Sequence, residues 1–313
     1  MKPSDKKLER ITHIAKMYYN ENKTQQEIAK EVNLSRPMVS VLLNEARSLG
    51  VVSITVNDVA SAIQLLEKRI EEQFSLKKAV VVKNGRSALE TDDEIARTAY
   101  NVCFSEGGAK RLIGVGWGSM VGKLTDYAES LDISLGMDGK IFPLIGGIGA
   151  SYRSYHTNEI VRVLSSHTGL AAEYCYLPAF FDSQEEREYA ERLENYRAYK
   201  DNCSSMDMAI INISNYPSYP DLGVVYRYED LLSKHKAAGR LLAHYYDEDG
   251  QIITPKVDNV MQASIDELRG TKNVTALCSS HLQSTSVAGA LRIGVITNIV
   301  IPESLASKLV LNM

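Results

Sequence analysis

The chain has 313 residues, enough for about two domains with a large core, and its 44% hydrophobic content is that of an ordinary globular protein. A formal net charge of −4 argues against nucleic-acid binding over the whole surface, but the charge is uneven: residues 1–56 hold nine Lys/Arg against six Asp/Glu, and the remainder 26 against 33. No run approaches the roughly 18 apolar residues of a membrane span, and MKPSDKKLERI lacks an apolar signal core. Cys103, Cys175, Cys203 and Cys278 are far apart with no C-x-x-C pair, so buried reduced thiols in a cytoplasmic protein are expected, with no metal site.

Leu8, Ile11, Ala15 and Tyr18 keep a helical spacing, which predicts a first helix. Thr24 with Glu27 then forms a capping box ahead of a short helix from Gln25, with Ile28, Ala29 and Val32 on one face and Gln25, Gln26 and Lys30 outside. Asn33 and Leu34 make the turn. Ser35 caps a second helix that tolerates Pro37 in its first turn, where the N–H that proline lacks would be unpaired anyway. That helix is expected to bury Val39, Leu42, Leu43, Ala46 and Leu49, with a left-handed Gly50 after it. Its outer face, Arg36, Met38, Ser40, Val41, Asn44 and Arg47, mixes polar, small apolar and guanidinium groups with no acid near the start. A helix that reads the major groove needs such a face, with hydrogen-bonding groups for base edges and phosphates and methyls for thymine. The expected DNA contacts are Gln25, Gln26, Ser35, Arg36, Met38, Ser40, Val41 and Asn44.

After Gly50, the alternation in VVSITVND predicts a short strand that closes residues 1–56 as a wing. Residues 57–76 read as a linker helix, with Ile63, Leu66, Ile70 and Phe74 in one stripe and Glu67 and Glu71 among the solvated residues; the stripe meets either a partner subunit or its own C-terminal domain. From residue 77 to 313, short β-rich runs alternate with helical patterns, the signature of one α/β domain with a mainly parallel sheet. The predicted strands are KAVVVK, RLIGVGW, KIFPLI, AEYCYLP, DMAIINIS, GRLLAHYY, NVTALCS and TNIVIP. Thr91 with Glu94 is expected to cap the helix through Val102, and further helices are expected over 120–130, 158–166, 185–199, 228–235, 285–291 and 303–310.

Open parallel sheets bind small molecules at the carboxyl ends of their strands. Three loops there are rich in glycine or hydroxyls: GVGWGSM at 114–120, LIGGIG at 144–149 followed by Arg153 and His156, and CSSHLQST at 278–285. Glycines after a strand and before a helix let backbone N–H groups meet an anion.

SRPMVSVLL near the N-terminus, GVGWG after a central strand, LIGG after the next and YYDEDG late in the chain together resemble the SorC/DeoR-type sugar-binding transcriptional regulators, over nearly the whole chain. The resemblance implies an N-terminal helix-turn-helix (winged-helix-like) domain and a Rossmann-like effector domain similar to phosphosugar isomerases. It also implies a dimer or tetramer that binds operator DNA, senses a sugar or sugar phosphate, and needs no cofactor. By that resemblance Gly116, Trp117, Gly118, Ser119 and Met120 form the phosphate loop, and Gly146, Gly147, Gly149, Asp247, Ser279 and Ser280 surround the effector.

The departures matter as well. Ile145 stands where some relatives carry a lysine or arginine, in one branch a Schiff-base lysine, and an isoleucine cannot capture an aldehyde covalently. Arg240 replaces a common sugar-binding acid, Gln283 a common phosphate-binding lysine, and Val41 a frequent recognition-helix arginine. A phosphosugar isomerase or deaminase is the competing class. It would need a general base and acid from Asp247, Asp249, Glu159, His156 and His281, which form no recognisable catalytic constellation. A regulator with a degenerate pocket, controlled by oligomerisation alone, is the third.

Overall fold

The computed structural model describes residues 5–52, 59–104, 111–132, 134–149, 152–217 and 227–311. The chain divides into two compact units, residues 1–59 and 60–313.

The first unit packs α1 (Asp5–Tyr19), α2 (Gln25–Glu31) and α3 (Arg36–Ser48). The capping box at Thr24 forms: its amide donates to Glu27 Oε2 at 2.8 Å, and Glu27 N donates to Thr24 Oγ1 at 3.3 Å. Asn33 takes a positive φ of 52° in the turn, and Ser35 Oγ accepts from Met38 N at 3.4 Å to start α3. Ile11, Ile14, Met17, Ile28, Val39, Leu43 and Ala46 form the closed core. Two expectations shift. Leu8 is 38% exposed because Ile14 and Met17 take the inner face of α1, and Leu49 is 40% exposed because α3 ends one residue before it. Residues 53–58 of the expected wing lie outside the described residues.

The second unit takes in α4 (Val59–Phe74) from its second residue on, and the stripe Ile63, Leu66, Ile70 and Phe74 packs on the unit's own core. Glu67 and Glu71, expected in solvent, instead accept from Val81 N at 2.9 Å and Ala79 N at 2.8 Å. Those amides belong to β1 (Lys78–Val82), an edge strand, so the two carboxylates satisfy donors that no neighbouring strand takes. The helix is part of the fold of this unit and not a detachable connector.

The chain continues through α5 (Ala88–Phe104), β2 (Arg111–Val115), α6 (Ser119–Glu129), β3 (Gly139–Pro143), α7 (Thr157–Thr168), β4 (Ala171–Ala172), α8 (Gln184–Glu191), α9 (Glu194–Ser205) and β5 (Met208–Asn215). It ends through α10 (Leu231–Lys234), β6 (Gly239–Leu241), β7 (His244–Tyr246), β8 (Ile252–Ile253), α11 (Ile265–Gly270), β9 (Asn273–Leu277), α12 (Ser284–Arg292), β10 (Asn298–Pro302) and α13 (Glu303–Leu311). The parallel order is β1-β10-β9-β5-β2-β3-β4, and β6, β7 and β8 form an antiparallel extension that joins the carboxyl end of β5. Alternate strand residues feed two apolar layers, one with Ile95, Leu124 and Leu164 from α5, α6 and α7, the other with Ile70, Tyr199, Ala290 and Leu305 from α4, α9, α12 and α13.

Several expected elements are corrected. The α5 cap is Ser87, whose Oγ accepts from Glu90 N at 3.1 Å, while Thr91 lies inside the helix and Glu94 pairs with Arg97. AEYCYLP leaves the sheet after Ala172 because Asn158 takes the backbone of Cys175 on both sides, Oδ1 from its N at 2.9 Å and Nδ2 to its O at 2.8 Å. GRLLAHYY is a hairpin folded at Leu242, whose φ is 52°. The helix expected over 185–199 breaks where Leu193 turns extended, at ψ 146°. A helix not expected, α11, carries its own capping box between Ser264 and Glu267.

Candidate functional site

In the first unit, Met38 and Val41 stand 47% and 57% exposed on α3, beside exposed Arg36 and Asn44 and half-buried Ser40. Gln25, Gln26 and Arg36 are brought together around a polar cleft of about 670 Å³ that Tyr18, Lys23 and Thr24 also line. Ser35 spends its hydroxyl on the α3 cap, and Arg47, expected on the outer face, donates through Nε to Tyr19 Oη at 3.0 Å.

In the second unit, β2 leads outward to β3 and β4, whereas β5 returns to the other side of β2 and leads to β9 and β10. The strand order therefore reverses between β2 and β5, and the crevice at their carboxyl ends is where such sheets hold ligands. GVGWGSM closes β2 at this point. Gly118 takes φ 120° and ψ 173°, and a Cβ there would lie 2.7 Å from Asn212 Cγ. Asn212, buried in β5, accepts from Met120 N through Oδ1 at 3.0 Å and donates through Nδ2 to Ile213 O and Ser214 Oγ. Gly116 N donates to Ile210 O at 2.8 Å and Gly118 N to Ser154 O at 3.0 Å. These three amides of the loop are engaged within the protein and not presented to an anion.

Trp117, 2% exposed, donates through Nε1 to Leu242 O at 3.3 Å, and Arg240 Nη1 donates to the same carbonyl at 2.8 Å, so the two expected effector residues meet. Ser119 and Arg153 share a hollow of about 300 Å³ with Lys123 and Asp126, but Arg153 is already balanced by Glu129 at 2.7 Å and Glu159 at 3.3 Å. Gln283 is exposed at the start of α12, its backbone N–H donating to Asn215 Oδ1 at 3.0 Å. His156 is exposed and Ser279 half-buried.

Others of the expected set have structural engagements. Gly146 packs against the Pro178 carbonyl carbon, where a Cβ would approach to 2.6 Å, and Gly147 N donates to Leu177 O at 3.0 Å. Gly149 lies in open space. Asp247 Oδ1 accepts from Asp249 N at 3.0 Å and Gln251 N at 2.8 Å, which fixes the turn after β7. Ser280 N donates to buried Asp92 at 2.7 Å. The residues absent from the expected set are Asn212, Ser214 and Asn215 at the end of β5. An asparagine inside the apolar run MAIINISN was the signal, since a buried amide needs partners.

The profile of a family described as a putative sugar-binding domain matches residues 59–311. The chain belongs to that family. It is similar along its length to the sorbitol operon regulator of Klebsiella pneumoniae, 24% identical over 295 residues that cover 90% of this chain and 91% of that protein. It is similar also to the deoxyribonucleoside regulator of Bacillus subtilis, 22% identical over 95% of this chain and 96% of the other. The crystal structure of the full-length sorbitol operon regulator from Klebsiella pneumoniae shares the fold at a TM-score of 0.75, 23% identity, 98% of this chain and 99% of that one. Among the described residues no helix is long and apolar enough to cross a membrane.

Within the sugar-binding domain, the four cysteines are buried and free, and burial pushes the Cys103 and Cys203 thiols up to about 12. They should stay inert to thiol reagents until the protein unfolds. His244 donates from Nε2 to Ala263 O at 2.8 Å, and burial holds its pKa below the ordinary 6.5. A depressed histidine leaves the unfolded chain binding more protons below 6.5, so stability is lost as pH falls through that value. Scanning calorimetry should show the unfolding free energy of this domain falling by up to about 1.4 kcal/mol per pH unit below that point. His244→Gln should flatten this segment, because Glu129, Glu159 and Glu173, held below their ordinary 4.5, titrate only at lower pH.

Proposed function

We propose that the chain is a DNA-binding transcriptional regulator of a carbohydrate catabolic operon, with operator affinity set by a sugar or sugar-phosphate effector. The observation that carries this reading is the joining of an exposed, capped helix face to a sugar-binding domain. In this reading residues 1–56 are a helix-turn-helix (winged-helix-like) domain in which α3 enters the major groove. Its Arg36 and Asn44 meet polar base edges or phosphates, and Met38 and Val41 meet thymine methyls. Gln25, Gln26 and the Ser35 turn lie against the backbone. Residues 77–313 are a Rossmann-like effector domain with the sugar in the crevice between the ends of β2 and β5. The protein acts by binding and not by catalysis: Asp247 is engaged by turn amides, and Glu159 by Arg162 at 2.8 Å and by Arg153. It works where the operator is, in the cytoplasm.

The active species is a homodimer or homotetramer. At about 1.5 Å per residue, the 13 residues of α3 span roughly 20 Å and read only a few base pairs, so a second copy a helical turn away supplies the rest. Sedimentation should show an oligomer at operator-binding concentrations; a monomer with full affinity would refute this. A polar residue in place of Met38 or Val41 should change which sequences are selected, because a methyl contact discriminates only at its own base pair. Unchanged preference in a binding-site selection would remove α3 from the groove. A thermal-shift panel of free and phosphorylated sugars tests the effector half.

A further inference from the structure

Arg227 lies in the second unit just before α10, with its side chain 15% exposed. Its Nε, Nη1 and Nη2 are all buried without a hydrogen-bond partner. Among the described residues its ion-pair partner is Asp258, whose Oδ1 lies 4.0 Å from Nη1, beyond hydrogen-bond range, and which is itself 44% exposed. The guanidinium carbon sits 4.5 Å from the centroid of the Phe180 ring. A ring face attracts a cation but fills none of its N–H donors. A buried guanidinium is costly unless its donors are satisfied, and burial already draws the Arg227 pKa below the usual guanidinium value.

The surroundings connect this cation to the crevice. The Phe180 ring packs 6.2 Å from Trp117, the residue of the GVGWGSM loop whose indole shares the Leu242 carbonyl with Arg240. Phe180 pairs with Val260, and the neighbouring Asn259, 8% exposed, has a side-chain oxygen with no partner. A buried donor set and a buried acceptor thus flank the same bridge, which suits a ligand that offers both a charge and hydroxyls. Three amides of that loop, Gly116, Gly118 and Met120, are taken by Ile210 O, Ser154 O and Asn212 Oδ1.

We propose that Arg227, stacked on Phe180 with Asn259 on the adjoining segment, is the anion-binding position of the effector site, so that the effector is a carboxylate- or phosphate-bearing sugar and not a neutral one. This rests on the effector reading above. The guanidinium fork holds the acid bidentately, and Asn259 accepts from a hydroxyl of the same ligand.

The test compares the full chain with Arg227→Met and Arg227→Lys. Thermal shift with inorganic phosphate comes first, and calorimetry with gluconate, glucose-6-phosphate and glucose second. Ligand-free Arg227→Met should melt above the unsubstituted chain, because buried N–H donors without hydrogen bonds have gone, and phosphate should raise the midpoint of the unsubstituted chain alone. Whichever acid Arg227 holds should bind Arg227→Met roughly tenfold to a hundredfold more weakly, with Arg227→Lys between, and glucose should be unaffected. Loss for gluconate alone names a carboxylate; loss for glucose-6-phosphate names a phosphate. The proposal is overturned if Arg227→Met melts lower and phosphate shifts both proteins alike, or if acid and neutral sugars weaken by the same factor. Should no sugar bind while phosphate still protects only the unsubstituted chain, the anion position stands and the effector reading falls. Should the sugars bind Arg227→Met unchanged but fail to bind Gly118→Ala, the effector reading stands and the anion position falls.

Discussion

Gly118→Ala should destabilise the sugar-binding domain by about 2–4 kcal/mol and weaken effector binding, while operator affinity at room temperature stays unchanged. At φ 120° and ψ 173° the backbone is in a region that only glycine occupies readily, which costs roughly 1–3 kcal/mol for any other residue. The added Cβ would also lie 2.7 Å from Asn212 Cγ. Asn212 cannot yield freely, because its amide group ties Met120 N to Ile213 O and Ser214 Oγ across the ends of β2 and β5. Pushing it aside leaves buried polar groups unpaired, each at about 1–3 kcal/mol. Since about 1 kcal/mol shifts the midpoint of a domain this size by roughly 2–4 °C, calorimetry should show a drop of about 4–16 °C. An unchanged midpoint would mean that the loop does not hold this geometry in solution. The first unit has its own core of Ile14, Ile28, Val39 and Leu43, so its binding face should persist.

Arg36→Ala should weaken operator binding by about 1–3 kcal/mol, roughly 5- to 150-fold. Arg36 is exposed at the first residue of α3 and lines the cleft shared with Gln25, Gln26 and Lys23, so its charge faces the same side as the start of α2. Salt dependence separates its two roles. A phosphate contact predicts a binding slope against log salt reduced by about one unit and an even loss over all sequences; a guanine contact predicts an unchanged slope and relaxed preference at one position. Anisotropy titrations at several salt concentrations distinguish them. Equal affinity for Arg36→Ala and the unsubstituted chain would remove the residue from the interface.

The elements most legible in the sequence were those whose signals are local. Thr24 with Glu27, Asn33 and Ser35 each act within a few residues, and the structure places the turn and both caps where they were expected. Local signals also compete. Thr91 with Glu94 matches the capping pattern as well as Ser87 with Glu90, and the earlier cap is used because the helix starts at Ala88. GRLLAHYY was expected as one strand, but Ala243 N is taken by Gln262, nineteen residues on, and the chain folds back at Leu242. AEYCYLP is diverted in the same way by Asn158.

The crevice was legible as glycine-rich loops after strands, but not in its wiring. Asn212 and Ser214 were read only as strand and Asn215 lay beyond the expected strand, although an amide in the apolar run of β5 must be satisfied from elsewhere. Glu67 and Glu71 look like solvated helix charges until β1 is known to be an edge. Arg227 carries no local pattern at all, since its lack of a partner is a property of the packed domain.

The most direct test of the central claim is selection of DNA from a random duplex pool by the full-length chain, followed by titration of the selected site with acidic and neutral sugars. A DNA-binding regulator that senses a sugar predicts enrichment of a two-fold symmetric sequence with half-sites a helical turn or a multiple of it apart, loss of that enrichment in Arg36→Ala, and a shift in affinity when the effector is added. No enriched sequence at moderate salt, with the sugar still bound by residues 60–313, would show a sugar-binding protein that reads no operator.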